Sequence, residues 1–353
     1  MKEIYSLLKQ MKEKKASDLH IVAGSPPVFR IDGYLQRGKE EKLTPEESKL
    51  LIYSLMNEEQ QREFEEQHEL DFSLGIPGIG RFRVNVHFQR GSVASAIRWV
   101  PYSVPSISEL HLPPILEELA LKDKGLVLVT GPTGCGKSTT LASMVEVINR
   151  KKAVHIITIE DPIEYLHSHK KSIIEQKEVG TDTLTFANSL KYSLRQDPDV
   201  ILVGEMRDLE TIALTLTAAE TGHLVLATLH TPDAPQAIDR IIDIFPPYQQ
   251  SQIRLQLSIS LEAVITQKLL LRKYGKGRIP VVEILIATSA VRNLIRSGKT
   301  HQLYTTMETG SQFGMRTMDQ ALRELVRKDY IDLSLALKLA KNPKNFQNFF
   351  ESK

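Results

Sequence analysis

The feature that most constrains this chain is a glycine-rich loop between a short apolar run and an amphipathic segment. Residues 126–129 are apolar and branched, which predicts a buried strand that ends at Thr130. The sequence Gly-Pro-Thr-Gly-Cys-Gly-Lys-Ser follows at 131–138, and residues 139–147 then carry apolar side chains at helical spacing. A strand, a G-x-x-x-x-G-K-S loop and a helix, in that order, form the context that a phosphate-binding loop of nucleoside triphosphatases requires.

Each residue type in this loop has a chemical reason. The glycines let the backbone fold closely around phosphate oxygens with consecutive N–H groups pointing inward, and the new helix adds its positive end. Lys137 is expected to reach the β- and γ-phosphates, and the Ser138 hydroxyl is expected to ligate Mg²⁺. The sequence therefore predicts binding of ATP or GTP by Gly131, Pro132, Thr133, Gly134, Cys135, Gly136, Lys137, Ser138 and Thr139.

The composition excludes several classes of protein. At 353 residues the chain is long enough for two domains, and a net charge of +2 gives no general sign of nucleic acid or an anionic membrane as partner. The single cysteine, Cys135, excludes an internal disulfide framework and a cysteine-rich zinc site. Neither an apolar run of membrane length nor a secretory signal is present, which predicts a cytosolic protein without a membrane span.

The chain contains two regions with different sequence patterns, which predict two domains. Residues 1–100 combine an N-terminal helix with strands, of which the hairpin at 81–100 is the clearest, and so predict a small α+β domain. Prolines crowd into 101–115, as expected for a linker. From residue 116 to 353, strands alternate with helices, which predicts an α/β fold with a mostly parallel sheet. The expected elements are strands at 126–130, 155–159, 200–203, 224–228 and 278–286, a long helix at 248–271 and a helical tail at 288–353.

Charged residues follow the ends of the predicted parallel strands, where ligands bind in such sheets. Glu205 comes after 200–203 and is expected on the Mg²⁺ side of the site, although a salt-bridged structural glutamate explains it equally well. Glu160, Asp161 and Glu164 follow 155–159. We assign Glu164 as the base that activates water, with the other two as helpers, but spacing does not decide between the three acids.

Histidines and arginines complete the candidate residues. His230, at the end of the strand at 224–228, is placed for contact with the γ-phosphate, whereas His223 fits a structural role. Arg81, Arg83 and Arg98 share the polar face of the N-terminal hairpin. They form either a solvated face or an arginine finger for the phosphates of a neighbouring subunit, since guanidinium groups suit bidentate phosphate binding.

Taken together, these motifs resemble those of the type II/type IV secretion and pilus ATPases, and within that family those of the ATPases that retract type IV pili. The resemblance covers nearly the whole chain. Besides the loop at 131–138, the matching segments are Ser-Asp-Leu-His at 17–20, an acidic box at 157–164, Ile-Leu-Val-Gly-Glu-Met-Arg-Asp at 201–208, a histidine box at 219–230 and Ala-Val-Arg-Asn-Leu-Ile-Arg from Ala290 to Arg296.

The resemblance implies a homohexamer of PAS-like N-terminal and RecA-like C-terminal domains that hydrolyses ATP with Mg²⁺. It implies that Glu164 is the base, Glu205 the Mg²⁺-side acid and His230 a phosphate sensor, with N-terminal arginines completing the site. The expected partners are the inner-membrane platform protein and, through residues 290–296, the pilus machinery, so the protein would work at the cytoplasmic face of that membrane. One cysteine and 353 residues favour retraction over a pilus-assembly or type II secretion ATPase, which usually carries a zinc insert.

Two other functions remain as alternatives. A RecA-like hexameric nucleic-acid translocase would need a basic channel with stacking aromatics, and a net charge of +2 with 6% aromatic residues gives this little support, so no nucleic acid is expected. A scaffold that binds ATP without hydrolysing it is disfavoured by the acids at Glu164 and Glu205.

Overall fold

The computed structural model describes residues 2–31, 33–100, 103–274 and 277–351. The chain forms two compact units: Met1–Ser103 with Glu164–Leu166, and Val104–Ile163 with His167–Lys353. The predicted linker starts at Pro101, which lies with Tyr102 outside the described residues.

The N-terminal unit is built on one antiparallel sheet with the strand order β3-β2-β1-β6-β5-β4. Its strands are β1 (Asp18–Ile21), β2 (Val28–Ile31), β3 (Tyr34–Arg37), β4 (Glu69–Ile76), β5 (Gly80–Gln89) and β6 (Ser92–Val100). Its helices are α1 (Lys2–Glu13), α2 (Pro45–Tyr53) and α3 (Glu58–Gln67). The prediction of an α+β fold for this part of the chain is confirmed.

Alternation along the hairpin separates the two faces of this sheet. Phe82, Val84, Val86 and Ile97 are buried in the core, whereas the arginines alternate with them on the other face. Helix α2 starts at the predicted capping box, in which Thr44 and Glu47 each accept a hydrogen bond from the other's backbone N–H.

The second unit contains a seven-stranded sheet with the order β13-β12-β7-β11-β10-β8-β9. Its strands are β7 (Gly125–Thr130), β8 (His155–Glu160), β9 (Ile173–Glu178), β10 (Val200–Val203), β11 (Leu224–Leu229), β12 (Leu261–Leu271) and β13 (Arg278–Ile286). Six strands are parallel, and β13 pairs antiparallel at one edge. Apolar clusters cover both faces, so the prediction of an α/β fold with a mostly parallel sheet is confirmed.

Helices lie before, between and after these strands. They are α4 (Ile115–Ala120), α5 (Lys137–Lys151), α6 (Phe186–Ser193), α7 (Leu209–Glu220), α8 (Ala234–Asp243), α9 (Pro247–Ser260), α10 (Ser289–Arg296), α11 (Leu303–Thr309), α12 (Met318–Arg327), α13 (Leu333–Leu339) and α14 (Pro343–Glu351). Short 3₁₀ turns occupy Thr300–Gln302 and Ser311–Phe313. Within the described residues, no helix combines the length and apolar character that crossing a membrane needs.

The prediction of one helix over residues 248–271 is wrong in its second half. The helix ends at Ser260, and β12 begins at once with Leu261. Strand β12 lies between β7 and β13 and is buried over most of its length, so its apolar residues do not alternate with polar ones. A strand buried on both faces cannot be distinguished from a buried helix by periodicity alone. Strand β9, at the opposite edge and largely polar, was also missed.

Candidate nucleotide site

The glycine-rich loop connects the end of β7 to the start of α5. Its three glycines, Gly131, Gly134 and Gly136, have φ values of 136°, 76° and 93°, a region that side chains with a Cβ rarely adopt. Gly136 is the N-cap of α5, and no side chain caps this helix end. The first backbone N–H groups of α5 are therefore available to an anion.

Lys137 is folded back over the loop. Its Nζ donates to the carbonyl oxygens of Gly131 at 2.9 Å and Pro132 at 3.2 Å, and the residue is only 9% exposed. Burial lowers the pKa of the ammonium group, and the negative charge of Glu205 acts in the opposite direction. The lysine thus lies within electrostatic reach of the acid predicted on the Mg²⁺ side.

Glu205 follows β10 and forms the centre of a small charge cluster. Its Oε1 lies 2.8 Å from Arg207 Nε and 3.2 Å from His230 Nε2. Burial raises the pKa of Glu205. The hydrogen bond and charge of Arg207, together with those of His230, lower it by more than burial raises it, so the pKa falls below its usual value. Because β7, β11 and β10 are neighbours in the sheet, Lys137, His230 and Glu205 all follow carboxyl ends at one edge.

The three acids of the acidic box at 157–164 lie in different surroundings. Glu160, the last residue of β8, accepts hydrogen bonds from Thr158 Oγ1 at 2.7 Å and Gln176 Nε2 at 3.3 Å. Asp161 is exposed, and its charge acts on Arg207. Glu164 is exposed and belongs to the segment that groups with the N-terminal unit. Its assignment as the base stays a prediction.

The three candidate finger arginines lie on one face of the N-terminal sheet. Arg83 stands directly opposite Arg98, and Arg81 is two residues away on the same strand. Arg98 Nε donates to Asp18 Oδ1 at 2.8 Å. Burial raises the pKa of Asp18, but the hydrogen bonds from Arg98 and Ser17 lower it more, which keeps this carboxylate ionised.

Sequence reasoning missed two residues of the site. Arg207 was part of a recognised motif but received no role. Gln267 was hidden in the wrongly predicted helix, yet its buried side chain bonds both the loop and α5. His223, in contrast, contacts the Ala218 carbonyl oxygen at 2.9 Å, as a structural histidine should.

A cleft of about 370 Å³ opens beside the loop. Gly136, Thr139 and Thr140 line one part of it, and Leu269, Arg272 and Arg278 line another. The volume is in the range of small-molecule sites, and the lining mixes apolar surface with a few cationic and polar groups.

Comparison with known proteins identifies the family. Residues 1–333 match the family model described as type II/IV secretion system protein. The chain is 48% identical over 344 residues, 98% of this chain and 100% of the relative, to the type IV pilus retraction ATPase PilT of Pseudomonas aeruginosa. It is 44% identical over 335 residues, 95% of this chain and 88% of the relative, to the type IV pilus ATPase PilU of the same organism.

A solved structure agrees over the same length. The crystal structure of the pilus retraction motor PilT with bound ADP superposes with a TM-score of 0.90 at 50% identity, covering 97% of this chain and 98% of that one. The chain therefore belongs to the family of type II/IV secretion system proteins.

Proposed function

We propose that this protein is an ATP-driven motor that retracts type IV pili and thereby powers twitching motility. The observation that carries the proposal is 48% identity along the full length of a retraction ATPase, combined with the gathering of Lys137, Glu205 and His230 at one edge of the sheet. Its reaction would be hydrolysis of ATP to ADP and phosphate.

Nucleotide binding would use the loop and the neighbouring cleft. The phosphates replace the carbonyl oxygens of Gly131 and Pro132 as partners of Lys137, since an anionic oxygen is the stronger acceptor for an ammonium group. Base and sugar fit the cleft between Thr139 and Arg278. A similar protein crystallised with bound ADP supports the binding of an adenine nucleotide by this chain.

Magnesium fits the residues present. Ser138 is exposed at the start of α5, and Glu205 is an ionised carboxylate close to Lys137. Mg²⁺ in nucleotide sites is held mainly by phosphates and water, with one or two protein oxygens. Ser138 directly, and Glu205 through water, would supply these oxygens, and the ion would neutralise charge on the phosphates.

The remaining roles follow the family resemblance. Glu164 would deprotonate the attacking water, with Glu160 and Asp161 as helpers, and His230 would sense the phosphate through its contact with Glu205. A neighbouring subunit's nucleotide in a homohexamer would receive an arginine finger. Arg81, Arg83 and Arg98 are the candidates for this role, and the Nε of Arg98 donates a hydrogen bond to Asp18.

The motor would act on the pilus machinery through α10, at the inner-membrane platform protein. Ala290, Asn293 and Arg296 are exposed on this helix, whereas Val291 and Ile295 are fully buried. Thus α10 presents one open face while the other anchors it to the core of its unit.

Gene deletion followed by counting of surface pili tests the direction of the motor. We expect excess pili and no twitching, restored by the wild-type gene. Bald cells would instead identify an assembly ATPase. Normal retraction would contradict the motor role and would leave an accessory ATPase of the pilus machinery as the alternative.

A second test separates hydrolysis from work. Leu294 is only partly buried against the core, so Leu294→Ala is expected to fold and to keep at least half of the ATPase rate. We expect this variant to fail in retraction when it replaces the wild-type gene. Loss of ATPase activity together with retraction would assign this helix a structural role only.

A further inference from the structure

Gln267 lies in β12 beside the phosphate loop. The preceding residue, Thr266, pairs with Thr130, the last residue of β7, and their hydroxyl oxygens are 2.8 Å apart. Gln267 itself is 3% exposed. This part of β12 is therefore fixed against the point where the loop begins.

Both ends of the Gln267 side-chain amide are bonded. Nε2 donates to the Cys135 carbonyl oxygen at 2.6 Å, and Thr140 Oγ1 donates to Oε1 at 2.7 Å. A carbonyl only accepts hydrogen bonds, so the amide NH₂ of Gln267 must face the Cys135 carbonyl and the amide oxygen must face Thr140. One side chain thus connects the loop with the first turn of α5.

The phosphate loop packs closely against Gln267 at two of its glycines. A Cβ on Gly136 would lie 2.8 Å from Gln267 Nε2, and a Cβ on Gly131 would meet the Gln267 carbonyl oxygen. In a trans peptide the C=O and the next N–H point in opposite directions. Holding the Cys135 carbonyl toward Gln267 therefore turns the Gly136 N–H away from β12.

We propose that Gln267 is a positioning residue of the nucleotide site. It fixes the peptide between Cys135 and Gly136 in the orientation in which the loop N–H groups bind the β-phosphate. The inference rests on the proposed ATP binding and adds a residue outside the loop that this binding needs. In this role Gln267 acts on the loop, since each end of its side-chain amide bonds a protein group.

The decisive variant is Gln267→Glu, measured in the purified full chain. It keeps the shape and the acceptor for Thr140, but it places an oxygen against the Cys135 carbonyl oxygen instead of a donor. We expect the Kd for ADP to rise about tenfold or more, which corresponds to about 1.4 kcal/mol. The Kd for AMP, which has no β-phosphate, should change less than about threefold, because it is the β-phosphate that depends on the orientation held by Gln267.

A matched pair at the other end of the amide guards against misfolding of that variant. Thr140→Val keeps the shape but removes the donor to Gln267, whereas Thr140→Ser keeps the hydroxyl. We expect Thr140→Val to weaken ADP binding about threefold to tenfold, and Thr140→Ser, which keeps the donor to Gln267, to weaken it clearly less than Thr140→Val.

The possible results separate the two proposals. If wild-type protein binds ADP but Gln267→Glu binds it equally well, or if Thr140→Val equals Thr140→Ser, the positioning role is refuted and the proposed function stands. Equal weakening of ADP and AMP would make Gln267 a structural residue only. Failure of the wild type itself to bind ADP or ATP would overturn the proposed function and the positioning role together.

Discussion

At the level of single residues, the proposed site contains two groups of opposite charge, which we expect to act on different parts of the nucleotide. Lys137 donates hydrogen bonds to two loop carbonyl oxygens, and we expect it to bind the phosphates instead when a nucleotide is present. Glu205, which follows β10, contacts Arg207 and His230. Removing either group should stop catalysis, but for different reasons.

We expect Lys137→Ala and Glu205→Ala each to lower the ATPase rate at least ~10²-fold, because one loses phosphate charge stabilisation and the other loses Mg²⁺ placement. Lys137→Ala should also weaken ADP binding, whereas Glu205→Ala should leave binding of metal-free ADP nearly unchanged. Steady-state ATPase assays and calorimetry measure both effects. Lys124→Ala, at an exposed lysine before the other end of β7, is the control. Near-normal turnover in either site variant would contradict the assignment of the site.

How far the sequence predicted these residues depends on how local their signal is. Lys137 and Ser138 are defined by a contiguous motif, and Glu205 and His230 follow recognisable apolar strands. Gln267 has no such signal, since it acts on Cys135, 132 residues away in sequence, and only the pairing of β12 with β7 brings them together. The periodicity of a sequence does not predict long-range contacts of this kind.

At the level of elements, a buried carboxylate joins two helices to the sheet. Glu283 on β13 is 1% exposed; its Oε1 accepts the N–H of Ala234 at 3.0 Å, and its Oε2 accepts the N–H of Met318 at 3.2 Å. These residues begin α8 and α12, so one side chain caps two helix N-termini. Burial raises the pKa of Glu283, and these two backbone donors oppose that rise.

We expect Glu283→Leu to lower the free energy of unfolding by about 2–5 kcal/mol, because it leaves two buried N–H groups without their acceptor. Glu283→Gln keeps one acceptor oxygen and should lose less, about 1–3 kcal/mol. Urea denaturation followed by circular dichroism measures both. Glu351→Gln, in an exposed position of α14, serves as the control. If Glu283→Leu were as stable as this control, the double cap would not contribute to stability.

The elements show where sequence patterns were sufficient. Strands with flanking turns, such as β10 and β13, were predicted with the observed bounds, and the capping box fixed the start of α2. The boundary between α9 and β12 was not predictable, because no Gly, Pro, Asn or Asp lies between Tyr248 and Leu271 to mark a turn. Only the partner strands on both sides of β12 decide in favour of a strand.

At the level of the whole molecule, His167, a half-buried histidine of the second unit, links stability to pH. Burial lowers the pKa of His167 from 6.5 to about 4, a fall that the charge of Glu146 opposes and that of Lys170 adds to. Its Nδ1 is buried and makes no hydrogen bond to any described residue. The folded protein therefore keeps this ring neutral where the unfolded chain would protonate it.

The sign of the effect follows from proton binding. Between pH 6.5 and about 4 the unfolded chain takes up a proton at His167 that the folded chain does not, so acidification favours unfolding. Stability from this residue is complete above pH 6.5, decreases as the pH falls, and levels off below about 4. The loss from this one group is at most about 3 kcal/mol.

We expect His167→Phe, which cannot titrate, to flatten the pH dependence of the unfolding free energy over that interval by up to about 3 kcal/mol relative to the wild type. Urea titrations at about pH 4.5, 5.5 and 7 measure the difference. His301→Gln removes a histidine from an exposed position and should leave the wild-type slope unchanged. If His167→Phe kept the wild-type slope, His167 would have to take up its proton in the folded protein as it does in the unfolded chain, which would contradict the lowered pKa.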